Sequence, residues 1–226
     1  MKTFQTLIFC FLSIGLFAQT FVKQDAGGNN DGSSWADAFT DFQTALDNTA
    51  SGDIWVAAGT YMPTYVDTNS TFRISNSVAI YGGFNGSETT IDERDPGLNI
   101  TTFSGDINGD DTPGNTALNR TDNTRHIIYV DSLLTGATVF DGLNFSGGHT
   151  GDNGDLNLWQ RAGGAIFSYS QIQIDNCVFS DNFGRSGGSV YVFEANGNGS
   201  SCKNSAFTNN RTSSQSAGFM ANRVDG

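Results

Sequence analysis

Leu143-Asn144-Phe145-Ser146-Gly147-Gly148 returns as Cys177-Val178-Phe179-Ser180-Asp181-Asn182, and again as Ser205-Ala206-Phe207-Thr208-Asn209-Asn210. Between these copies, Gly163-Gly164-Ala165-Ile166-Phe167 matches Gly187-Gly188-Ser189-Val190-Tyr191, and Ala217-Gly218-Phe219-Met220 is a looser third version. The Phe spacings are 34 and 28 residues and the Gly-Gly spacing is 24. Motif cores hold while the joins vary, which is how a solenoid carries its insertions in loops. Each unit contains two or three short strand-like segments and no helical periodicity. Leucine-rich, ankyrin and tetratricopeptide units are therefore excluded.

A parallel β-helix fits. Each coil turns once around an axis, and equivalent strands of successive coils pair about 4.8 Å apart. Phe145, Phe179 and Phe207 are then expected to stack inside. Asn176 and Asn204 fall at one turn, where Asn tolerates left-handed backbone and its amide can bond from coil to coil. Ordinary turn chemistry explains that pair equally well. The Gly pairs mark positions that need positive φ.

Working outward, His126-Ile127-Ile128-Tyr129-Val130, Ser77 to Phe84 and Asp53 to Tyr61 read as earlier strands. Thr138 to Phe140 and Leu143 to Phe145 are two more, split by Asp141-Gly142. Before them, Trp35, Phe39, Phe42 and Leu46 recur at i, i+4, i+7 and i+11. Ser34-Trp35-Ala36-Asp37 resembles a capping box with Asp in place of Glu or Gln. One short amphipathic helix before a series of strands suits a lid on a solenoid core. The expected organisation is a signal segment at 1–18, an N-terminal cap with this helix at 19–52, and coils from 53 to 226. The fold class is all-β, a right-handed parallel β-helix with a short capping α-helix.

The first residues carry one positive charge and an apolar run from Leu7 to Ala18, which reads as a secretory signal peptide cleaved after Ala18. That run is too short to span a bilayer, and no later segment is apolar enough, so no transmembrane helix is expected after cleavage. The net charge is −12, and removing Lys2 makes it one unit more negative. Such a chain will not bind nucleic acid or an anionic membrane through its net field. With 28 Gly, 18 Phe and only 15% charged residues, the composition favours short strands and tight turns around an aromatic core.

Gly163-Gly164-Ala165-Ile166 followed by Phe179-Ser180-Asp181-Asn182 resembles the paired GGA[ILV] and FxxN repeats of the polymorphic outer membrane proteins. Phe207-Thr208-Asn209-Asn210 repeats the second half. Gly148 departs from it, and Gly187-Gly188-Ser189-Val190 departs mildly from the first half. Asp53 to Tyr61 with Tyr81-Gly82-Gly83-Phe84 looks like the N-terminal coils of large secreted β-helix proteins of Bacteroidetes-type bacteria. The resemblance covers most of residues 19 to 226. It implies a secreted, outer-membrane or cell-surface protein, often adhesive, and supplies no catalytic residue. Such proteins usually carry a C-terminal sorting or barrel domain. The repeat here runs to Gly226 without a closing cap, so a longer gene product is expected.

Asp106-Ile107-Asn108-Gly109-Asp110-Asp111 is the leading ion-binding candidate. Asp106, Asn108 and Asp110 place oxygens at alternate positions, like the first half of a Ca2+ loop. The pattern then fails, because Asp111 stands where Gly belongs and Ala117 where the bidentate Glu belongs. A looser Ca2+ site and a solvated acidic loop remain the alternatives. Asp152-Asn153-Gly154-Asp155 is a weaker second candidate. Trp159, Tyr61 and Tyr65 lie in insertions and could stack on sugar faces or pack their loops. Glycan, matrix or another cell surface is the expected partner.

The competing function is a Ca2+-dependent polysaccharide lyase or another carbohydrate-active enzyme. A lyase needs carboxylates for Ca2+ and a Lys or Arg base. The mature chain offers only Lys23 and Lys203 as lysines, and Arg73, Arg161 or Arg185 would need an unusual local field. Asp141 and Asp175 align on successive coils, but hydrolysis needs two acids facing across a groove. The balance therefore leans away from an enzyme. An oxidising compartment would permit a disulfide. The alignment sets Cys177 opposite Ser205 and Cys202 opposite Ile174, out of step, which favours two small buried thiols. His126 opens a strand and reads as an edge residue; His149 is isolated.

Overall fold

A computed structural model of the chain describes residues 19–132, 134–151, 157–194 and 199–223. The expected signal segment and Asp152 to Asp155 lie outside the described residues. The described residues begin with strand β1 (Thr20–Val22) and helix α1 (Phe42–Asn48). Among the described residues fifteen strands follow in consecutive triplets: β2 (Gly52–Ala57), β3 (Gly59–Tyr61) and β4 (Phe72–Ile74); β5 (Val78–Phe84), β6 (Thr101–Ser104) and β7 (Ile128–Val130). The third triplet is β8 (Thr138–Asp141), β9 (Asn144–Ser146) and β10 (Ile166–Ser168), with helix α2 (Leu158–Arg161) between the last two. The fourth is β11 (Ile172–Asp175), β12 (Val178–Ser180) and β13 (Val190–Glu194), and the fifth β14 (Ser201–Lys203), β15 (Ala206–Thr208) and β16 (Phe219–Arg223).

The three members of each triplet enter three different sheets. Sheet A runs β1-β2-β5-β8-β11-β14, sheet B β3-β6-β9-β12-β15, and sheet C β4-β7-β10-β13-β16. Every pairing among the described residues is parallel. The fold is thus all-β, parallel and solenoid-like. No helix among the described residues is long and apolar enough to cross a membrane.

Register makes like residues neighbours. In sheet B, Tyr61, Phe103, Phe145, Phe179 and Phe207 follow one another. Their rings pack at 5.6, 5.7, 5.0 and 4.9 Å, the last three stacked. Sheet A contributes Ile54, Ile80, Phe140, Ile174 and Cys202 in the same way. Sheet C contributes Phe72, Ile128, Ile166 and Val190. Strands alternate by period two, as in Phe72-Arg73-Ile74, where Arg73 is exposed between two buried residues.

The sequence motifs mark how coils join. Gly142, Asn176 and Asn204 all have positive φ at the bend from sheet A to sheet B. The Asn176 amide donates to Asp141 Oδ1 (3.2 Å) and the Asn204 amide to Asp175 Oδ1 (2.8 Å), so the ladder is Asn to Asp rather than Asn to Asn. The final Asn of the Phe motif turns inward. Asn182 Nδ2 donates to the Phe145 carbonyl at 3.0 Å, and Asn210 Nδ2 to that of Phe179 at 2.8 Å. In the Gly-Gly pairs, Gly163 and Gly187 have φ of +68° and +57°. A Cβ on Gly188 would lie 2.4 Å from the Arg211 carbonyl oxygen and 2.5 Å from that of Ala217.

The capping helix is shorter than its sequence pattern. Ser34 and Asp37 do bond, through Asp37 N–H to Ser34 Oγ (3.1 Å) and the Ser34 hydroxyl to Asp37 Oδ2 (2.9 Å), but they close a turn. Phe39 is extended: its N–H donates to Phe21 O and its carbonyl accepts from Lys23, both at 2.9 Å. Helix α1 starts only after Asp41, whose carboxylate accepts the Thr44 N–H at 2.7 Å. Phe42 then seats against Phe72 and Phe103 at 5.0 and 4.6 Å, covering the first core layer. Trp35 belongs elsewhere, with Phe21, Trp55 and Phe84 on the other side of sheet A.

Candidate binding surfaces

Sheet C has a second, outward row. Tyr129, Phe167, Tyr191 and Met220 are in register on β7, β10, β13 and β16. Their flanking residues Ile128, Val130, Ile166, Val190 and Val192 fill the core, so alternation turns this row the other way. Tyr129 stacks on Phe167 at 5.9 Å and 15°, and Phe167 on Tyr191 at 5.7 Å and 6°. Tyr169 and Phe193 form a second line, with Tyr169 edge-on to Tyr129, Phe167 and Phe193 at 6.0, 5.0 and 5.6 Å. Phe167 and Tyr191 are covered; Tyr129, Tyr169, Phe193 and Met220 are half-exposed.

Trp159, on α2, joins this face, 6.4 Å from Tyr129 and nearly perpendicular to it. At one end the guanidinium of Arg73 lies 5.7 Å from the Tyr129 ring centroid and pairs with Asp131 at 2.8 Å. Burial, foremost, raises the Tyr129 and Tyr169 hydroxyls above the usual phenol range, leaving both protonated donors at neutral pH. Sequence reading singled out Trp159 alone here. The row was available in Ile128-Tyr129-Val130, Ile166-Phe167-Ser168 and Val190-Tyr191-Val192, once the Gly-Gly copies set their register.

The other two aromatic candidates part company with Trp159. Tyr61 is a core residue, not a surface platform. It is 2% exposed, its hydroxyl donates to Ala57 O at 3.0 Å, and its ring follows Phe103 in the sheet B column. It sits at the inward position of β3, which decides the matter. Tyr65 is 40% exposed on the connection between β3 and β4.

The acidic loop lies in the connection from β6 to β7. Carboxylate oxygens of Asp106, Asp110 and Asp111 lie within 4.8 Å of one another. Asp106 shapes the loop, its Oδ1 accepting the N–H groups of Gly109 (2.8 Å) and Asp110 (3.2 Å) and its Oδ2 that of Asp111 (3.2 Å). Asn108 donates its backbone N–H to Asp122 at 3.0 Å. Asp111, a misfit in a linear Ca2+ pattern, is the acid that turns inward. Its Oδ2 takes the Arg120 guanidinium and the Asn123 amide, the latter at 2.8 Å. Burial pushes its carboxyl up to about 6, against the pull of Asn123 and Arg120. Arg120 also donates to the carbonyls of Asn115 (2.7 Å) and Asp181 (3.4 Å), tying the loop to a later coil.

The paired acids Asp141 and Asp175 are engaged at the A-to-B bends. Asp141 Oδ2 accepts from Arg94 at 2.8 Å while its Oδ1 serves Asn176; Asp175 Oδ1 serves Asn204. Beside them is a shallow recess of about 460 Å3 lined by Ile91, Asp92, Arg94, Pro96 and Asn176. Lys23 lies 3.5 Å from Asp25, and Lys203 is the sheet neighbour of Asp175. Cys177 and Cys202 are free thiols. Burial pushes the Cys177 thiol up to about 12. His126 is no edge residue: it is 2% exposed, and its Nδ1–H donates to the Gly163 carbonyl at 2.9 Å. Its ring lies 6.3 Å from that of Trp159. His149 stacks on Phe183 at 4.8 Å.

Comparison with protein families, with curated proteins and with solved structures finds no match.

Proposed function

We propose that this chain is a right-handed parallel β-helix, exported to the cell surface or the medium, that binds extended glycans along the outer face of sheet C. The half-exposed rings of Tyr129, Tyr169, Phe193 and Trp159, backed by the buried Phe167 and Tyr191, carry the reading. Aromatic faces complement the C–H faces of sugar rings, and the Tyr hydroxyls and Trp N–H offer polar handles beside them. The row runs from rung to rung along the solenoid, so its natural occupant is a chain rather than a single sugar. Arg73 and Asp131 give one end a charged border.

The strict A, B, C rotation of strands supports closed coils, and parallel crossovers are right-handed in about 98% of cases. The leader-like residues 1–18 and the likeness of the repeats to the polymorphic outer membrane proteins support export. Within this reading the solenoid is the scaffold and its face the site, and the acids of the A-to-B bends are coil joints.

The test is binding of the chain from Gln19 onward to a panel of neutral and acidic polysaccharides, by calorimetry and affinity electrophoresis. Saturable binding is expected to weaken at least about tenfold in Trp159→Ala and Tyr129→Ala, the loss of roughly 1.4 kcal/mol, with folding retained by circular dichroism. Binding to no polysaccharide, or binding indifferent to both substitutions, overturns it. Release of unsaturated sugars in the same samples would replace it with the lyase reading.

A further inference from the structure

The loop between β6 and β7 assembles charge that its own hydrogen bonds do not balance. Asp106, Asp110 and Asp111 converge, with Asp122 bonded to the same loop through the Asn108 N–H. One buried cation, Arg120, faces them; its Nη groups are committed to Asp111 Oδ2 and to two carbonyls, while its Nε is buried without a partner. A cluster of acids at a surface needs no ion when water solvates it. Here two of the oxygens are shut away from water.

The Asp111 side chain is 10% exposed, and its Oδ1 is buried with no hydrogen-bond partner. Asn123 is 0% exposed. Its amide nitrogen is spent on Asp111 Oδ2 and the Gly147 carbonyl, which fixes the orientation of the group. Its Oδ1 is then buried and unpartnered as well. Asp111 Oδ1, a buried acceptor without a donor on one of the converging carboxylates, leaves a place that a cation fills. Oxygen-only donors, carboxylates in the majority, select a hard divalent ion. Several carboxylate oxygens on one loop suit Ca2+, whose coordination adapts, better than Mg2+, which demands a tighter octahedron.

We infer that Asp106, Asp110 and Asp111 bind one Ca2+ ion, with Asp111 Oδ1 as the inward ligand. The set differs from a linear loop motif by including Asp111, which the chain reversal at Gly109 (φ +69°) returns towards Asp106. The ion has a structural role. The Gly114 N–H donates to Asp181 Oδ1 at 2.7 Å and Arg120 reaches the Asp181 carbonyl, so the loop lies across the Phe-motif turns of later coils. Fixing the loop fixes it against those turns.

The experiment is calorimetric titration of the metal-stripped chain with Ca2+ alone and with Mg2+ alone, together with thermal unfolding in each. One saturable Ca2+ site is expected, with a dissociation constant on the order of 10⁻⁴ M, as in extracellular modules, and a rise in Tm. Asp110→Asn alters an exposed acid and is expected to weaken Ca2+ at least tenfold, leaving the metal-free Tm unchanged. Asp92→Asn, an exposed acid elsewhere, controls for bulk charge and should leave affinity unchanged. No saturable heat up to about 10 mM Ca2+, well above the range of weak extracellular sites, overturns the site. So does tighter binding of Mg2+ than Ca2+, or equal affinity in Asp110→Asn and the unaltered chain.

Discussion

The side-chain amide of Asn182 donates to the backbone carbonyl of Phe145, 37 residues earlier, at 3.0 Å. Its Oδ1 accepts the Gly148 N–H, also at 3.0 Å, so one buried side chain satisfies both polar ends of the preceding coil's turn. Asn210 repeats the first of these bonds towards Phe179. Replacing Asn182 by Ala strands a buried carbonyl and a buried N–H together. The expected loss is about 2–4 kcal/mol, read as a lower urea midpoint at unchanged slope. Asn210→Ala, at the less covered end of the ladder, should lose less.

The aromatic column beside that ladder grades in the same direction. Phe145 and Phe179 are fully buried, whereas Phe207 is 36% exposed. Phe179→Ala removes a ring stacked on both faces and should destabilise by about 3–5 kcal/mol, while Phe207→Ala should lose about 1–2 kcal/mol. Equal midpoints for the two variants in chemical denaturation would contradict the stacking order.

Phe145, Phe179 and Phe207 were legible in sequence because short joins keep their spacing near one coil length. Phe103 and Tyr61 extend the column, but each stands 42 residues ahead of the next member because longer connections stretch those steps, so the repeat is not visible there in sequence. Phe39 shows a second limit. Its helical spacing was sound, yet hydrogen bonds to Phe21 and Lys23 hold it extended. Periodicity carries no information about such partners. The acidic loop shows a third. A linear motif weighs positions 106, 108 and 110, whereas the fold turns in Asp111 because Arg120 and Asn123, further along the chain, meet it there. The outward aromatics of sheet C look like core residues in one dimension, and only register separates Tyr129 from Ile128.

Cys177 and Cys202 provide a direct test of core order. Cys177 is 1% exposed and its Sγ donates to the Asp175 carbonyl at 3.2 Å. Cys202 is half-buried in the last described layer, and burial raises its thiol less far. In the chain from Gln19 onward, a thiol reagent at neutral pH should modify Cys202 slowly and Cys177 only after denaturation. Two thiols should titrate in denaturant without reductant. Fewer than two would mean a bridge, and rapid native reaction of Cys177 would mean the core there is open.

His126 sets an acid limit on the fold. Burial, above all, lowers its imidazole from the ordinary 6.5 to about 4, with neighbouring Arg125 adding to the effect and hydrogen bonds to Gly163 and Trp159 opposing it. The folded chain therefore holds the ring neutral, while the unfolded chain protonates it below about pH 6.5. The unfolded state binds the extra proton, so the full contribution is present above that pH. It drains away as pH falls towards 4, by about 3 kcal/mol in all. His126→Gln should be less stable at pH 7, where it loses packing against Phe167 and Trp159. Between pH 7 and 4 its unfolding free energy should decline less steeply than that of the unaltered chain, since its amide does not titrate. Parallel declines in urea titrations across that range would show that the ring is solvated and charged in the folded protein.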